Sequence, residues 1–234
     1  MRKMERKSPL PFTGFTDAVS EFFIQIRMNN NSVFFQEHRQ EYEAHVKAPF
    51  YAFAQALAPS VLLIDPNLEV RPGKVVSRIR RDTRFTKDKS PYRDHMWISW
   101  RPVRGPEGER SAPELYFTVN AARWEIGAGY YAAPPAAMKA LRGKMLASPN
   151  TLLTLIGQPG FADVFALGGD EYRRPPEGMD MLPEALRPWY IKKGIFLSHS
   201  EPLNDAARTP AFAGRMADLL QAVAPVYHYL CQAK

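Results

Sequence analysis

The sequence predicts an α+β protein in which an antiparallel sheet in the middle of the chain is covered on one face by N-terminal and C-terminal helices. Two observations carry this prediction. Apolar residues recur at helical spacing to about Leu63, alternate with polar residues from Val75 to about Tyr130, and return to helical spacing after Pro135. The alternating segments are also joined by short connections, which favour an antiparallel meander over parallel crossovers.

Three helices are predicted before the sheet. Thr16 or Asp17 can cap the first helix, and the asparagine run at residues 29–31 can end it and cap the second. Pro49 predicts a break before the third helix, which runs to about Leu63, because proline lacks an N–H and clashes with the preceding turn. The apolar stripe of the first helix consists of Val19, Phe22, Phe23 and Ile26.

Five strands and four further helices complete the predicted fold. The strands are placed at residues 75–81, 95–101, 114–120, 124–130 and 191–198. The later helices are placed at residues 135–147, 149–157, 159–165 and 209–230.

Alternation assigns the strand residues to two faces of the sheet. The face predicted to meet the helices carries Met96, Ile98, Trp100, Leu115, Phe117, Val119, Trp124, Ile126 and Ala128. The opposite, polar face carries Arg78, Arg80, His95, Trp97, Ser99, Tyr116, Thr118, Asn120 and Glu125. This polar face is either an ordinary solvent-facing side of an antiparallel sheet or a concave surface for a ligand.

The composition is that of a folded globular protein, with 45% hydrophobic and 24% charged residues. One domain is expected over residues 12–230, preceded by a flexible basic tail at residues 1–11. The single cysteine, Cys231, excludes an internal disulfide and a multi-cysteine metal site. Because no apolar run approaches the ~18 residues of a membrane helix, a cytoplasmic protein without membrane contact is expected.

The net charge of +7 belongs to one segment of the chain. Residues 71–93 contain nine basic and two acidic residues, and removing them from the 31 basic and 24 acidic residues of the chain leaves 22 of each. A charge excess confined to one segment favours a specific role over general solubility.

Several motifs resemble those of a known family. They are FTGF at residues 12–15, FFQEHRQEYE after the asparagine run, RIRRDTRFTKDKSPYRDH at residues 78–95, IGAGYY at residues 126–131, and RRPPEGMD followed by YIKK. Together they resemble the uncharacterised proteins grouped as domain of unknown function 2461, over residues 12–230. That family commonly has a Trp-Phe pair where this chain has Phe34-Phe35. Because the family has no established activity, the resemblance implies one folded unit and no mechanism.

The basic loop that follows the first predicted strand is the main candidate site. Asp82 can hold its turn through backbone N–H groups, Phe85 can anchor it in the core, and Pro91 stiffens its exit. An ordered loop holds its charges at defined positions, where arginine can bind a phosphate through two hydrogen bonds. The predicted ligand is an anionic small molecule, bound by Arg78, Arg80, Arg81, Arg84, Lys87, Lys89, Tyr92 and Arg93.

Two alternatives stay open for this loop. Its arginines can pair with carboxylates of the same protein or dock an acidic partner, in a structural or protein-interaction role. The internal partners would be Glu37, Glu41, Asp82, Asp88, Asp94 and Glu125. The loop can also bind nucleic acid through phosphate contacts and stacking of bases on Phe85, Tyr92, Trp97 or Tyr116, although no known nucleic-acid motif is present.

No motif in the sequence identifies a reaction. The chain lacks a P-loop, a Rossmann fingerprint, a GxSxG elbow and HExxH, so neither a cofactor nor a metal is predicted. For an enzyme acting on phosphorylated substrates, Asp82 and His95 are the candidate proton-transfer groups. Secondary site candidates are Tyr116, Asn120, Glu125, Arg174 and Lys192. The identity of the ligand and the oligomeric state are left open.

Overall fold

The computed structural model describes residues 11–103 and 112–233. The helices before the sheet are α1 (Asp17–Met28), α2 (Ser32–Glu37), α3 (Arg39–Glu41), a π-helical segment (Tyr42–Lys47), α4 (Ala48–Ile64) and α5 (Pro72–Val75). The strands are β1 (His95–Trp100), β2 (Glu114–Asn120), β3 (Arg123–Gly129), β4 (Ala166–Gly168) and β5 (Phe196–Pro202). The later α-helices are α6 (Pro135–Ala147), α7 (Pro149–Ile156), α8 (Phe161–Val164), α9 (Arg187–Tyr190) and α10 (Ala211–Cys231). Short 3₁₀ helices span Met179–Met181, Glu184–Leu186 and Asp205–Arg208.

The five strands form one antiparallel sheet in the order β1-β2-β3-β5-β4. Helices precede and follow the sheet in the sequence, which confirms the predicted α+β class. The predicted basic tail, residues 1–11, lies outside the described residues except for Pro11.

The apolar face of the sheet forms one side of the hydrophobic core. All nine residues that alternation assigned to this face are fully buried. Above β2 and β3, rings from α4, α10 and the N-terminal segment meet, with Phe53 and Phe117 centroids 4.6 Å apart and Phe15 and Phe53 centroids 5.2 Å apart. Such aromatic pairs add to the free energy gained from burying apolar area, and they fix the helices on this face.

The predicted break at Pro49 is wrong. The helix continues from Arg39 to Ile64, because a π-helical segment at Tyr42–Lys47 precedes the proline. A π turn already departs from the i→i−4 hydrogen-bond ladder, and Pro49 lies in the first turn of α4, where its missing N–H costs little.

The continuous helix from Arg39 to Ile64 is also long and apolar enough to cross a membrane, by length and composition alone. One such helix is weak evidence, because the core helix of a soluble protein passes the same test. The helix α4 packs against α10, and six of its side chains are buried; they are Phe50, Phe53, Ala54, Leu57, Val61 and Ile64. These contacts describe a core helix, and the cytoplasmic location stays a prediction.

The predicted strand at residues 75–81 is wrong as a regular strand. Val76 and Arg80 make only isolated bridges, to Ile98 and Tyr92 respectively. Arg93 donates hydrogen bonds from Nη1 to the carbonyl oxygens of Arg78 and Arg80, at 2.7 Å for Arg78. Ser77 accepts the Trp97 N–H with its hydroxyl at 3.0 Å. Side chains thus take hydrogen-bonding groups that a strand ladder would use.

The last part of the sheet differs from the sequence prediction in position. Residues 191–193 pair with residues 170–172, through a Glu171–Lys192 bridge and a 2.7 Å bond from Lys193 N–H to the Asp170 carbonyl. The strand that joins the sheet therefore spans Phe196–Pro202 and not 191–198. The three-residue strand β4 is too short to leave a periodic signal in the sequence.

Candidate functional site

A cavity of about 850 Å³ opens on the polar face of the sheet, which is therefore concave. Its floor consists of neighbouring residues of three strands, in which Trp97 lies opposite Thr118, and Thr118 opposite Glu125. Ser99 and Tyr116 form the next row of the floor. The sides are formed by residues between Glu69 and Ser77, along the outer edge of β1, and by Tyr130, Tyr131 and Phe196 at the other end.

The segment beside β1 is held in place by backbone hydrogen bonds. Glu69 donates its N–H to the Arg101 carbonyl at 2.8 Å, and Ser77 donates its N–H to the Trp97 carbonyl at 2.8 Å. Between these two contacts the chain leaves the strand and forms the single turn of α5. This excursion raises one side of the cavity above the floor.

Tyr116 and Glu125 form a hydrogen-bonded pair on the floor. The Tyr116 hydroxyl lies 2.8 Å from Glu125 Oε1 and 3.2 Å from the Leu197 carbonyl oxygen. Burial, followed by the charge of Glu125, raises the pKa of Tyr116 far above its ordinary value of 10.0. Tyr116 therefore keeps its proton and donates it in the hydrogen bond to the carboxylate.

Gly127 makes room for this pair. A Cβ at position 127 would lie 3.1 Å from the Tyr116 hydroxyl and 1.9 Å from the Leu197 carbonyl oxygen. The absent side chain thus allows β5 and the Tyr116 ring to approach β3 closely.

Two ion pairs neutralise part of the charge around the cavity. Arg101 binds Glu114, which also accepts a hydrogen bond from the Ser99 hydroxyl, and Glu114 is 6% exposed. Arg71 binds Glu69 through both Nε and Nη2, with 2.8 Å from Nε to Oε1. The hydrogen bond from the Arg71 side chain lowers the pKa of Glu69 from 4.5 to about 2.

This shift in the pKa of Glu69 predicts a pH-dependent contribution to stability. A carboxyl whose pKa is lowered by folding stabilises the folded state above its ordinary pKa, and loses that contribution as the pH falls from about 4.5 to about 2. We expect Glu69→Gln to lower the melting temperature at pH 6, and the difference from the wild type to shrink as the pH falls from about 4.5 to about 2. Calorimetry across this range measures the difference, and a difference that stays constant with pH would contradict the assignment.

Arg93 joins the cavity to the basic loop. Its guanidinium carbon lies 4.9 Å from the centroid of the Trp97 ring, and the side-chain hydrogen bonds of Arg93 to described residues all leave from Nη1. Burial, and then the nearby charge of Arg81, lowers the pKa of Arg93 below its ordinary value. A cation held in this way is ordered before any ligand arrives.

Three charged groups of the lining, Lys74, Arg93 and Glu125, have no ion-pair partner within residues 11–103 and 112–233. Lys74 is exposed on the α5 side, and Glu125 is bound by Tyr116 but by no cation. All other carboxylates that line the cavity are paired with arginine.

Residues 78–93, here called the basic hairpin, satisfy part of their charge locally. Arg81 pairs with Asp88, Arg84 binds Asp82, and Lys89 donates to the Thr83 carbonyl at 2.9 Å. The hydrogen bond from Arg84 lowers the pKa of Asp82 from 3.8 to about 2, so Asp82 is a carboxylate at neutral pH. The predicted turn contact of Asp82 is confirmed by the 3.2 Å bond from the Arg84 N–H.

The structure brings only some of the predicted site residues together. Arg93, Tyr116 and Glu125 line the cavity. Arg78, Arg80, Arg81, Arg84, Lys87 and Lys89 belong to the hairpin and are not among the lining residues. Arg174 is exposed elsewhere, and Lys192 is buried with its Nζ 2.8 Å from Glu171.

The remaining candidates have structural contacts. Tyr92 is 6% exposed and stacks on Phe35 with centroids 4.3 Å apart. Asn120 accepts the backbone N–H groups of Ala122 and Arg123 and so closes the β2–β3 turn. His95 lies outside the lining, with Nδ1 3.0 Å from Asp94.

Sequence reasoning missed five charged residues of the cavity: Glu69, Arg71, Lys74, Arg101 and Glu114. The alternation that placed Tyr116 on the polar face also places Glu114 there, so that signal was present. Glu69 to Lys74 lie in a segment that ends in the single turn of α5 and is too short for a periodic signal, so no pattern in the sequence assigns them to this face. In the described part of the chain, no group of three or more His, Cys, Asp or Glu residues is arranged to hold a metal ion.

Comparison with known proteins agrees with the resemblance seen in the motifs. No curated protein matches the chain. The pattern of a family of conserved hypothetical proteins, DUF2461, matches residues 18–229. This match covers most of the 234 residues and includes the helices, the sheet and the cavity. The chain therefore belongs to the DUF2461 family of conserved hypothetical proteins.

Proposed function

We propose that the cavity on the polar face binds a small organic molecule that carries an anionic group, such as a phosphorylated metabolite. Lys74 and Arg93 are the proposed contacts of the anionic group, and Glu125 accepts a hydrogen bond from another part of the ligand. The observation that carries the proposal is the set of partners around the cavity. Arg71 and Arg101 are neutralised in pairs, whereas Lys74 and Glu125 have no ion-pair partner in the described ranges.

The size and lining of the cavity support a small ligand. Its volume of about 850 Å³ falls within the range of pockets that hold metabolite-sized molecules. Trp97, Tyr130, Tyr131 and Phe196 supply apolar area, while the charged groups are few and placed at separate positions. This mixture of an apolar wall and a few polar groups is typical of sites that bind and orient one molecule.

Charge supports an anionic group at the Lys74 and Arg93 contacts. Hydrogen bonds between a cation and an anionic oxygen are about twice as strong as neutral ones. Arg93 is already held by two carbonyl oxygens and the Trp97 ring, so little side-chain entropy is lost when an anion binds. We therefore propose the anion contact at the base of the basic hairpin rather than along residues 78–91.

The carboxylate of Glu125 favours a ligand that carries a hydroxyl or amino group at a second position. Tyr116 occupies Oε1, and the second carboxylate oxygen has no hydrogen bond to a described residue. A ligand hydroxyl could donate to that oxygen, and the same contact is the geometry that a general base requires. A sugar phosphate or a nucleoside monophosphate meets both requirements.

The proposal is tested by isothermal titration of inorganic phosphate, ribose 5-phosphate and AMP into the wild type and two variants. Lys74→Met removes one of the two unpaired cations of the lining, and we expect it to weaken binding of at least one probe about tenfold or more, which is about 1.4 kcal/mol. Arg84→Met is the matched control, because Arg84 is exposed and does not line the cavity. Equal effects of the two variants, or no binding of any probe, would overturn the proposal.

A further inference from the structure

The basic hairpin is a second feature with a recognition surface of its own. Its base is fixed by an Arg80–Tyr92 bridge, by the Arg81 N–H bonding the Pro91 carbonyl at 2.8 Å, and by the Arg93 N–H bonding the Ile79 carbonyl at 2.9 Å. Asn30 binds both backbone groups of Tyr92, at 2.9 and 3.0 Å. The buried side chains of Ile79 and Tyr92 then anchor the hairpin in the core.

The tip is held by its own hydrogen bonds. Asp88 accepts the Ser90 N–H at 2.9 Å, and Thr86 donates from Oγ1 to the Asp88 carbonyl at 2.7 Å. Together with the Asp82 turn and the Lys89 contact, these bonds give the exposed side chains defined positions.

Phe85 is exposed at this tip. The prediction that it anchors the loop in the core is wrong, because 89% of its surface is accessible, the highest value among the exposed large apolar residues of the described chain. The Arg84 guanidinium lies 5.4 Å from its ring centroid. An isolated aromatic ring of this kind, surrounded by cations, is suited to stack on a flat partner.

The hairpin has an excess of positive charge that its own carboxylates do not balance. Residues 78–93 contain seven basic and two acidic residues, and both acids are already paired with Arg81 and Arg84. Arg78, Arg80 and Lys87 lie toward solvent and have no ion pair to a described residue. This excess of positive charge favours binding of a polyanion over binding of a single carboxylate.

We propose that the basic hairpin binds single-stranded nucleic acid. Arg78, Arg80 and Lys87 contact successive phosphates, and Phe85 stacks on an unpaired base. A single strand is favoured over a duplex because only unstacked bases offer a face to Phe85. It is favoured over an anionic membrane because the tip presents one large apolar side chain and not an apolar face.

The test is fluorescence anisotropy of a labelled 15-nucleotide oligothymidylate at two or more salt concentrations. Arg78→Gln/Arg80→Gln/Lys87→Gln should weaken binding at least tenfold and make the salt dependence shallower, by about 0.7 in the logarithmic slope for each phosphate that is no longer bound. Phe85→Ala should weaken binding about fivefold or more, with an unchanged salt slope. The backbone carbonyls that bind Arg93 remain in all of these variants, so the base of the hairpin keeps its hydrogen bonds.

The matched control removes the same charge elsewhere. Lys139, Arg173 and Arg174 are exposed and outside the hairpin, and Lys139→Gln/Arg173→Gln/Arg174→Gln should leave the affinity within about twofold of the wild type. Lys74→Met should also leave the affinity for the oligonucleotide unchanged. A failure of this proposal can therefore be distinguished from a failure of the proposed ligand binding in the cavity. An equal loss in the control triple, equal affinity for duplex with no effect of Phe85→Ala, or binding only to phosphatidylserine vesicles would each overturn the proposal.

Discussion

Gly127→Ala is expected to destabilise the protein by about 3 kcal/mol or more, because the new methyl group has no space. Its Cβ would lie 1.9 Å from the Leu197 carbonyl oxygen, which belongs to the backbone of β5 and cannot rotate away. The strands β3 and β5 pair at seven residue positions, and the new methyl group would force them apart within this paired stretch. Chemical denaturation of the wild type and the variant measures the loss.

The chain contains a matched control for Gly127→Ala. Gly143 lies inside α6, and a Cβ at that position would meet no heavy atom within 4 Å. Gly143→Ala should therefore stabilise the protein by about 0.5–1 kcal/mol through helix propensity. If Gly127→Ala proves as harmless as Gly143→Ala, the close approach of β3 and β5 around Tyr116 is wrong. The Gly127→Ala protein that still folds should also bind the probes in the cavity more weakly, since the Tyr116 ring has to move.

Arg101→Met is expected to destabilise the protein by about 2–4 kcal/mol, because it leaves a buried carboxylate without its cation. Glu114 is only 6% exposed, and its remaining hydrogen bond to a described residue, from the Ser99 hydroxyl, cannot replace a guanidinium. The expected loss is smaller than for a fully buried pair because 23% of the Arg101 side chain is accessible to solvent.

A double-mutant cycle isolates this effect. In Arg101→Met/Glu114→Gln the buried charge is gone, and the amide oxygen still accepts from Ser99, so the double variant should recover about 1 kcal/mol or more relative to Arg101→Met. Arg71→Met is the control at the solvent-exposed pair of the same cavity, and it should cost less than about 1 kcal/mol, since 69% of the Arg71 side chain is exposed. A cycle without coupling would show that Glu114 is stabilised by other groups.

The regular elements were predictable because their signals are local. The helix α6 has the predicted bounds, and β2 has the predicted bounds, since a proline at N1 and strict alternation mark these segments in the sequence itself. The faces of β1, β2 and β3 followed from the same alternation. Element ends that depend on a distant partner were not predictable, as with β5, which begins only after residues 191–193 have paired with residues 170–172.

The candidate site was predictable in composition and not in geometry. The concentration of positive charge in residues 71–93 and the polar face with Tyr116 and Glu125 were visible in the sequence. Nothing in the sequence indicated that Arg93 turns from the hairpin onto Trp97, or that Phe85 points to solvent. Both outcomes depend on which side chains lie nearby after folding.

The sequence by itself determined the α+β class, the apolar face of the sheet and the location of the excess charge, because each depends on spacing along the chain. The tertiary structure alone decided which charges are satisfied. Glu69, Arg101 and Glu114 become neutralised around the cavity while Lys74 and Glu125 lack ion-pair partners in the described residues, since pairing requires distances that only the fold sets. That division separates the cations that hold the structure together from those proposed to meet a ligand.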